Sequence, residues 1–158
     1  MASIMTIENA KLAFKNFAGE ERQYNRKGNR HFSIIFEDVD LINQLIDDGW
    51  NLKQLRSQDP DKIAYHLDVT VRFDNYPPNI YLLTESNKRK KLLNEDTVAC
   101  LDHAYIKNAD LKISPSHWEV NGKQGVKAYL KEAYITIVED EFAQKYSDYD
   151  EDVVPFGE

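Results

Sequence analysis

The stretch WEVNGKQGVKAYLKEAYITIV, residues 118–138, holds the strongest local folding signal in the chain. Asn121-Gly122 lies between two strand-like runs, and this dipeptide is typical of the two-residue turn of a β-hairpin. The sequence therefore predicts a hairpin with Gly125–Val138 as its last long strand. The preceding strand, Ala104–Ser114, is predicted to end at Pro115 because proline lacks the backbone donor that a ladder needs.

Alternation of apolar and polar residues predicts further strands upstream of this hairpin. The clearest is Lys62–Phe73, which alternates over its whole length. Glu95–Asp102 is ambiguous between a helical turn and a strand. Further strands are predicted at Thr6–Phe17, Arg30–Phe36, Trp50–Leu55 and Ile80–Leu83.

One short helix is predicted over Asp38–Asp48, in the middle of these strands. Its apolar residues recur at helical spacing, Asp38 or Asp40 can cap its start, and Gly49 stands where a glycine stop belongs.

About seven or eight strands with one helix and no βαβ alternation indicate a mainly β fold. We predict an OB-fold-like antiparallel barrel with one short helix and a late β-hairpin over residues 1–140. Residues 141–158 are predicted to form a flexible acidic tail because their pattern lacks periodicity.

The net charge of −7 is concentrated at one end of the chain. Residues 139–158 hold eight acidic residues and one basic residue, so the other 138 residues are neutral in sum. The single cysteine, Cys100, excludes an internal disulfide and favours a reducing compartment. No apolar run is long enough to span a bilayer, and the N-terminus lacks the apolar core of a signal peptide.

Catalytic chemistry has no support in the sequence. Phosphate-cradling glycine motifs are absent, the four histidines lack metal-ligand spacing, and one cysteine cannot build a cysteine-rich zinc site. We therefore predict no catalytic residues, no metal and no cofactor. A magnesium-dependent nuclease is the least supported reading, because nothing in the spacing of the scattered carboxylates selects a site.

Binding of single-stranded nucleic acid fits the residues that remain. Such proteins combine cations that neutralise phosphates with aromatic rings that stack on unpaired bases. Each ring alone could equally belong to the core, and the cations alone could be an ordinary solvated surface. The candidate phosphate contacts are Lys15, Arg26, Lys27, Arg30, Lys53, Lys123, Lys127 and Lys131, and the candidate stacking residues are Phe17, Tyr24, Trp50, Trp118 and Tyr129.

The acidic end carries a second, separate signal. Its charged run is followed by an apolar tip that a hydrophobic pocket rimmed by Lys or Arg could bind, and the run itself could compete with DNA for a basic groove. A plain solubilising end is the alternative. The candidate partner-binding residues are Asp148, Asp150, Glu151, Asp152, Pro155 and Phe156.

Four segments give the body a resemblance to the single-stranded DNA-binding proteins of tailed bacteriophages: Lys15–Gly19, Asn25–Phe32, Asp48–Lys53 and Trp118–Leu130. The tail resembles the acidic, Pro-Phe-ended tips of bacterial single-stranded DNA-binding proteins, except that Gly157 and Glu158 follow the phenylalanine here.

The resemblance implies an OB-fold that coats replication or recombination intermediates in the cytoplasm of the bacterial host. It implies single-stranded DNA as the partner, with replication or recombination proteins recruited through the tail, and neither a metal nor catalysis. Exposed sheet edges allow a monomer or a homodimer. The rival hypothesis is a phage protein–protein interaction module, either an assembly factor or a host-protein inhibitor that imitates DNA.

Overall fold

The computed structural model describes residues 3–56, 61–74, 76–84 and 90–138. Within these ranges the chain forms strands, one α-helix (α1, Val39–Asp47) and one 3-10 helix (Val98–Asp102). The strands are β1 (Met5–Ile7), β2 (Lys11–Asn16), β3 (Arg30–Phe36), β4 (Leu52–Gln54), β5 (Tyr65–Val71), β6 (Asn79–Thr84), β7 (Lys91–Leu93), β8 (Ile106–Val120) and β9 (Lys123–Ile137). Neither described helix is both long and apolar enough to cross a membrane.

Within the described residues the strands form one sheet, whose main path has the order β1-β8-β9-β5-β3-β2. Off this path, β4 pairs with β5, and β6 pairs with β7 and β9. The two outer strands of the main path, β1 and β2, are consecutive in the chain, so both ends of the sheet come from one N-terminal segment. No ladder joins these two strands within the described residues, so the sheet is not closed. Strand β9 runs parallel to β5 and β6, which makes the sheet mixed. This architecture confirms the predicted mainly β, OB-like fold.

Strands β8 and β9 form the predicted hairpin, each 15 residues long. Its turn residues have positive φ, 51° at Asn121 and 79° at Gly122, as a two-residue hairpin turn requires. The prediction that Pro115 ends the first strand is wrong, because β8 continues through it to Val120. Strand β1 pairs only with Leu111–Ile113, so β8 is an edge strand at the proline, where a missing donor is tolerated.

Helix α1 confirms the predicted helix and its ends. The Asp38 carboxylate accepts hydrogen bonds from the backbone N–H groups of Asp40 and Leu41 at 3.0 and 3.4 Å. Gly49, with φ of 102°, follows its last turn. Of the ambiguous segment Glu95–Asp102, the last five residues are the 3-10 helix, and β7 was not predicted.

The predicted strand Thr6–Phe17 is interrupted in two places. Residues 8–10 separate β1 from β2, and Asn9 has a φ of 53°. Within β2 a bulge places Phe14 and Lys15 opposite a single residue of β3, Phe32. Such a bulge reverses the side of the sheet toward which the following residues point.

Candidate nucleic-acid interface

The outer face of β5 and β9 carries alternating polar side chains. The residues between them, such as Val69 and Ala128, are buried in the core. The parallel register pairs Val69 with Ala128 and Thr70 with Tyr129, so the outward residues of both strands share one surface. This surface presents Asp68, Thr70, Arg72, Lys127, Tyr129 and Lys131.

Three neighbouring cavities on this surface share lining residues. The first has a volume of about 680 Å³ and lies between Arg30 and Lys127. The second shares Thr70 and Lys127 with it and is lined further by Lys53 and Trp118. The third shares Arg72 with the first and is lined further by Tyr76, Tyr129 and Lys131. We call the combined lining of these cavities the groove.

Cations outnumber acids in the groove. Among the described residues that line it, the five cations are Arg30, Lys53, Arg72, Lys127 and Lys131, and the three acids are Asp68, Asp74 and Glu95. Each acid lies against one cation, with N···O distances of 3.3 Å for Lys53–Asp68, 2.8 Å for Arg72–Asp74 and 3.7 Å for Arg30–Glu95. Within the described ranges, Lys127 and Lys131 have no carboxylate at ion-pair distance, so both can meet a phosphate without breaking an ion pair.

Hydrogen bonds hold the arginine end of the groove in place. Two nitrogens of Arg72 donate to the Asp74 carboxylate at 3.1 and 2.8 Å, a bidentate pair that raises the pKa of Arg72 and lowers that of Asp74. A hydrogen bond with Tyr129 also contributes to the raised pKa of Arg72. The ammonium group of Lys127 lies 5.4 Å from the centre of the Tyr129 ring, within cation–π range. This end therefore combines an oriented ring with two cations.

Trp118 forms the aromatic wall at the other end of the groove. Its hairpin partner is Gly125, and the indole lies directly over this glycine. A β-carbon built at Gly125 would come within 2.4 Å of Cζ2 of the indole. The missing side chain thus provides the space for the ring, which is still 44% exposed.

Three of the predicted contact residues have structural roles instead. Phe17 is 0% exposed and stacks on Phe32 with ring centres 5.2 Å apart, while Trp50 is 4% exposed in the same core. The Lys15 ammonium donates to the carbonyls of Leu101 and Ala104 at 2.7 and 3.1 Å, and its burial lowers its pKa. None of the three lines the groove, and we leave them out of the interface proposed below.

Four other predicted residues lie beside the groove. Tyr24, Arg26 and Lys27 are exposed in the loop between β2 and β3 and line a further cavity, which shares Asn25 with the first. That loop is closed at its base by a hydrogen bond from the N–H of Gly28 to the carbonyl of Gly19, 2.8 Å long. Lys123 is exposed next to the hairpin turn. The structure thus brings Arg30, Lys53, Trp118, Lys127, Tyr129 and Lys131 together in the groove and keeps these four at its margins.

Among the described cationic and aromatic residues of the groove, sequence reasoning missed three: Arg72, Phe73 and Tyr76. The ring of Phe73 lies under the Arg30 guanidinium, 5.5 Å from its central carbon. Arg72 occupies an outward position of the most regular predicted strand, and its alternation with buried Val71 was the available signal. Tyr76 is exposed just after that strand, and no local pattern identified it. The six tail residues named above lie outside the described residues. Among the described residues, no group of three or more His, Cys, Asp or Glu side chains could hold a metal ion.

Comparisons with known proteins agree with this architecture. A family model described as "Putative phage ssDNA-binding domain" matches residues 2–155. A search of curated proteins finds no match. The single-stranded DNA-binding protein from bacteriophage Enc34, solved in complex with single-stranded DNA, is 11% identical with a TM-score of 0.55, over 88% of each chain. Its C-terminal truncation is 11% identical with a TM-score of 0.53, over 88% of this chain and 87% of that one.

A third solved structure is gp2.5, a single-stranded DNA-binding protein encoded by bacteriophage T7. It is 10% identical with a TM-score of 0.48, over 90% of this chain and 96% of that one. At these identities, the likeness to the Enc34 protein concerns the fold.

Proposed function

The chain belongs to the family of phage single-stranded DNA-binding domains, and from this premise we propose that its groove binds single-stranded DNA with little regard to sequence. This membership confirms the resemblance drawn from the sequence. The observation that carries the proposal is that the three cavities adjoin, because the first shares Thr70 and Lys127 with the second and Arg72 with the third.

The chemistry of the groove suits a strand of any sequence. Cations bind phosphates, which every nucleotide has, and rings stack on bases, all of which have a π face. Trp118 supplies a ring at one end of the groove, and Tyr76 and Tyr129 supply rings at the other. Binding is the whole of the proposed activity, with no bond made or broken in the DNA.

The salt dependence of binding tests the role of the cations. Each phosphate neutralised on a single strand contributes about −0.7 to the slope of log K against log salt concentration, so the two unpaired lysines alone give about −1.4 and all five groove cations about −3.5. A slope near the larger value means that DNA displaces the three groove carboxylates from their cations.

The direct experiment is a titration of tryptophan fluorescence with oligo-dT at rising salt. Because Trp118 is exposed and Trp50 is buried, quenching on binding reports mainly on the groove. The Trp118→Ala variant should lose most of the quenching and bind more weakly. Absence of binding at low salt, both in the full chain and after deletion of residues 147–158, refutes the proposal.

We further propose that the protein coats single-stranded DNA during phage replication or recombination in the cytoplasm of the bacterial host. Its acidic tail, with Asp148, Asp150, Glu151 and Asp152, competes with DNA for the groove. Deleting residues 147–158 should therefore tighten DNA binding, most clearly at low salt where charge interactions are strongest. Pro155 and Phe156 form the apolar tip proposed to recruit replication or recombination proteins. Unchanged affinity after the deletion removes the competition but leaves the groove in place.

A further inference from the structure

Phe14 is an exposed aromatic residue that the groove does not include. It lies on β2, and its side chain is 59% exposed. Its ring meets the His66 ring in a T-shaped contact, with centres 6.0 Å apart and an angle of 68° between the rings. An edge contact of this kind leaves most of the Phe14 ring uncovered.

The backbone at Phe14 is strained. Its φ is 51°, a left-handed conformation that glycine adopts freely and that other residues rarely adopt. The strain arises at the bulge, where Phe14 and Lys15 face one residue of β3. The bulge directs Lys15 into the interior and Phe14 outward. Strained positions of this kind cluster at functional sites, so an exposed ring held there points to a ligand.

A chain of short contacts connects Phe14 to the groove. The Nδ1 atom of its neighbour His66 lies 2.8 Å from Oδ1 of Asp68, and Oδ2 of Asp68 lies 3.3 Å from the ammonium of Lys53. Asp68 and Lys53 line the groove together with Trp118. Burial alone raises the pKa of Asp68, but hydrogen bonds from Ser33 and His66 and the charge of Lys53 outweigh it and lower that pKa.

We propose that Phe14 is a further base-stacking residue, which extends the interface from the groove across β3 to β2. This inference rests on the proposed function of the groove. Neighbouring strands lie about 4.8 Å apart, so Phe14 lies about 10 Å beyond β5 along the sheet. Single-stranded DNA bound between Trp118 and Lys53 reaches Phe14 only when the DNA is longer than the groove itself.

The test uses the full chain and a length series of oligo-dT, with affinity measured by fluorescence anisotropy. Phe14→Gly removes the ring and also relieves the positive φ, so its thermal unfolding midpoint should be unchanged or higher. Phe14→Leu keeps an apolar side chain on the same strained backbone. Tyr105→Leu is the matched control, because Tyr105 is an exposed ring that precedes β8 and lies outside the groove.

Loss of one stacked base corresponds to a weakening of roughly five-fold or more. Both Phe14 variants should show this weakening on long oligonucleotides, bind the shortest ones like the unmodified chain, and leave the control unaffected. If either variant follows the unmodified chain at every length, or weakens all lengths equally, the inference is overturned. The proposed function of the groove is refuted separately if Trp118→Ala binds oligo-dT of every length with normal affinity.

Discussion

Replacing Gly125 by alanine tests whether the hairpin positions the exposed indole for DNA. Alanine places a β-carbon 2.4 Å from Cζ2, 2.6 Å from Cε2 and 2.8 Å from Nε1 of Trp118. Ordinary van der Waals contact begins at 3.4 Å, so the ring must retreat by about 1 Å or more. Because the clash involves three atoms of one rigid ring, the whole indole has to leave its place over the hairpin.

The expected effect on binding is larger than the effect on folding. A base stacked on an aromatic ring contributes about 1–3 kcal/mol, so losing this contact weakens DNA binding roughly 5- to 150-fold. Alanine is more favourable than glycine in a strand by about 0.5–1 kcal/mol, which offsets part of the lost packing of a ring that was already partly exposed. The free energy of unfolding should therefore change by less than about 1 kcal/mol.

The assay is a double-mutant cycle of Gly125→Ala and Trp118→Ala, with oligo-dT affinity measured by anisotropy. If the glycine acts through the indole, then Gly125→Ala has no further effect once Trp118 is alanine. Gln124→Ala, at the adjacent exposed position of β9, is the control for a general disturbance of the hairpin. Full additivity of the two substitutions, or normal affinity of Gly125→Ala, refutes the proposed role of the indole.

Three other predictions concern charge, core and pH. Replacing Lys127 and Lys131 together by glutamine should reduce the salt slope by about 1.4, as measured by titration at several salt concentrations. The control Lys107→Gln, near the start of β8 and outside the groove, should leave the slope unchanged. Phe17→Ala should lower the free energy of unfolding, measured by chemical denaturation, by about 3–5 kcal/mol, while the folded variant keeps its DNA affinity. Weaker DNA binding with unchanged stability contradicts the assignment of Phe17 to the core. Asp68→Asn should lower the unfolding midpoint at neutral pH. Because the folded pKa of Asp68 is depressed, this difference should shrink as the pH falls below about 4. A constant difference argues against stabilisation of the Asp68 carboxylate by Ser33, His66 and Lys53.

Local patterns were sufficient to predict the β8–β9 hairpin, helix α1 and most strands, because turn chemistry, capping and alternation are short-range properties. Phe17 shows the limit of such patterns, because alternation assigns its side chain to the wrong face of the sheet. Alternation from Lys11 places Phe17 on the same face as the lysines, but the bulge at Phe14 adds one residue and turns Phe17 into the core. A bulge depends on the partner strand, which the sequence of β2 alone does not specify.

Predicting the groove also requires the pairing of residues that are distant in the sequence. Arg72 and Tyr129 are far apart in the sequence and meet because β5 and β9 run parallel, a pairing that no hairpin motif announces. The two tryptophans illustrate the same limit, since Trp50 is buried and Trp118 is exposed although both lie in strand-like, lysine-containing segments. Residue type predicted the chemistry of the interface, and tertiary register decided which residues belong to it.

The parallel contact between β5 and β9 has a consequence for synthesis of the protein. One wall of the groove comes from residues near position 70, and the other follows only near position 128. A growing chain on the ribosome therefore cannot hold DNA until nearly all of this domain has emerged. Affinity for DNA therefore indicates that the domain has folded completely. Bound DNA in turn raises the melting temperature of the protein by mass action.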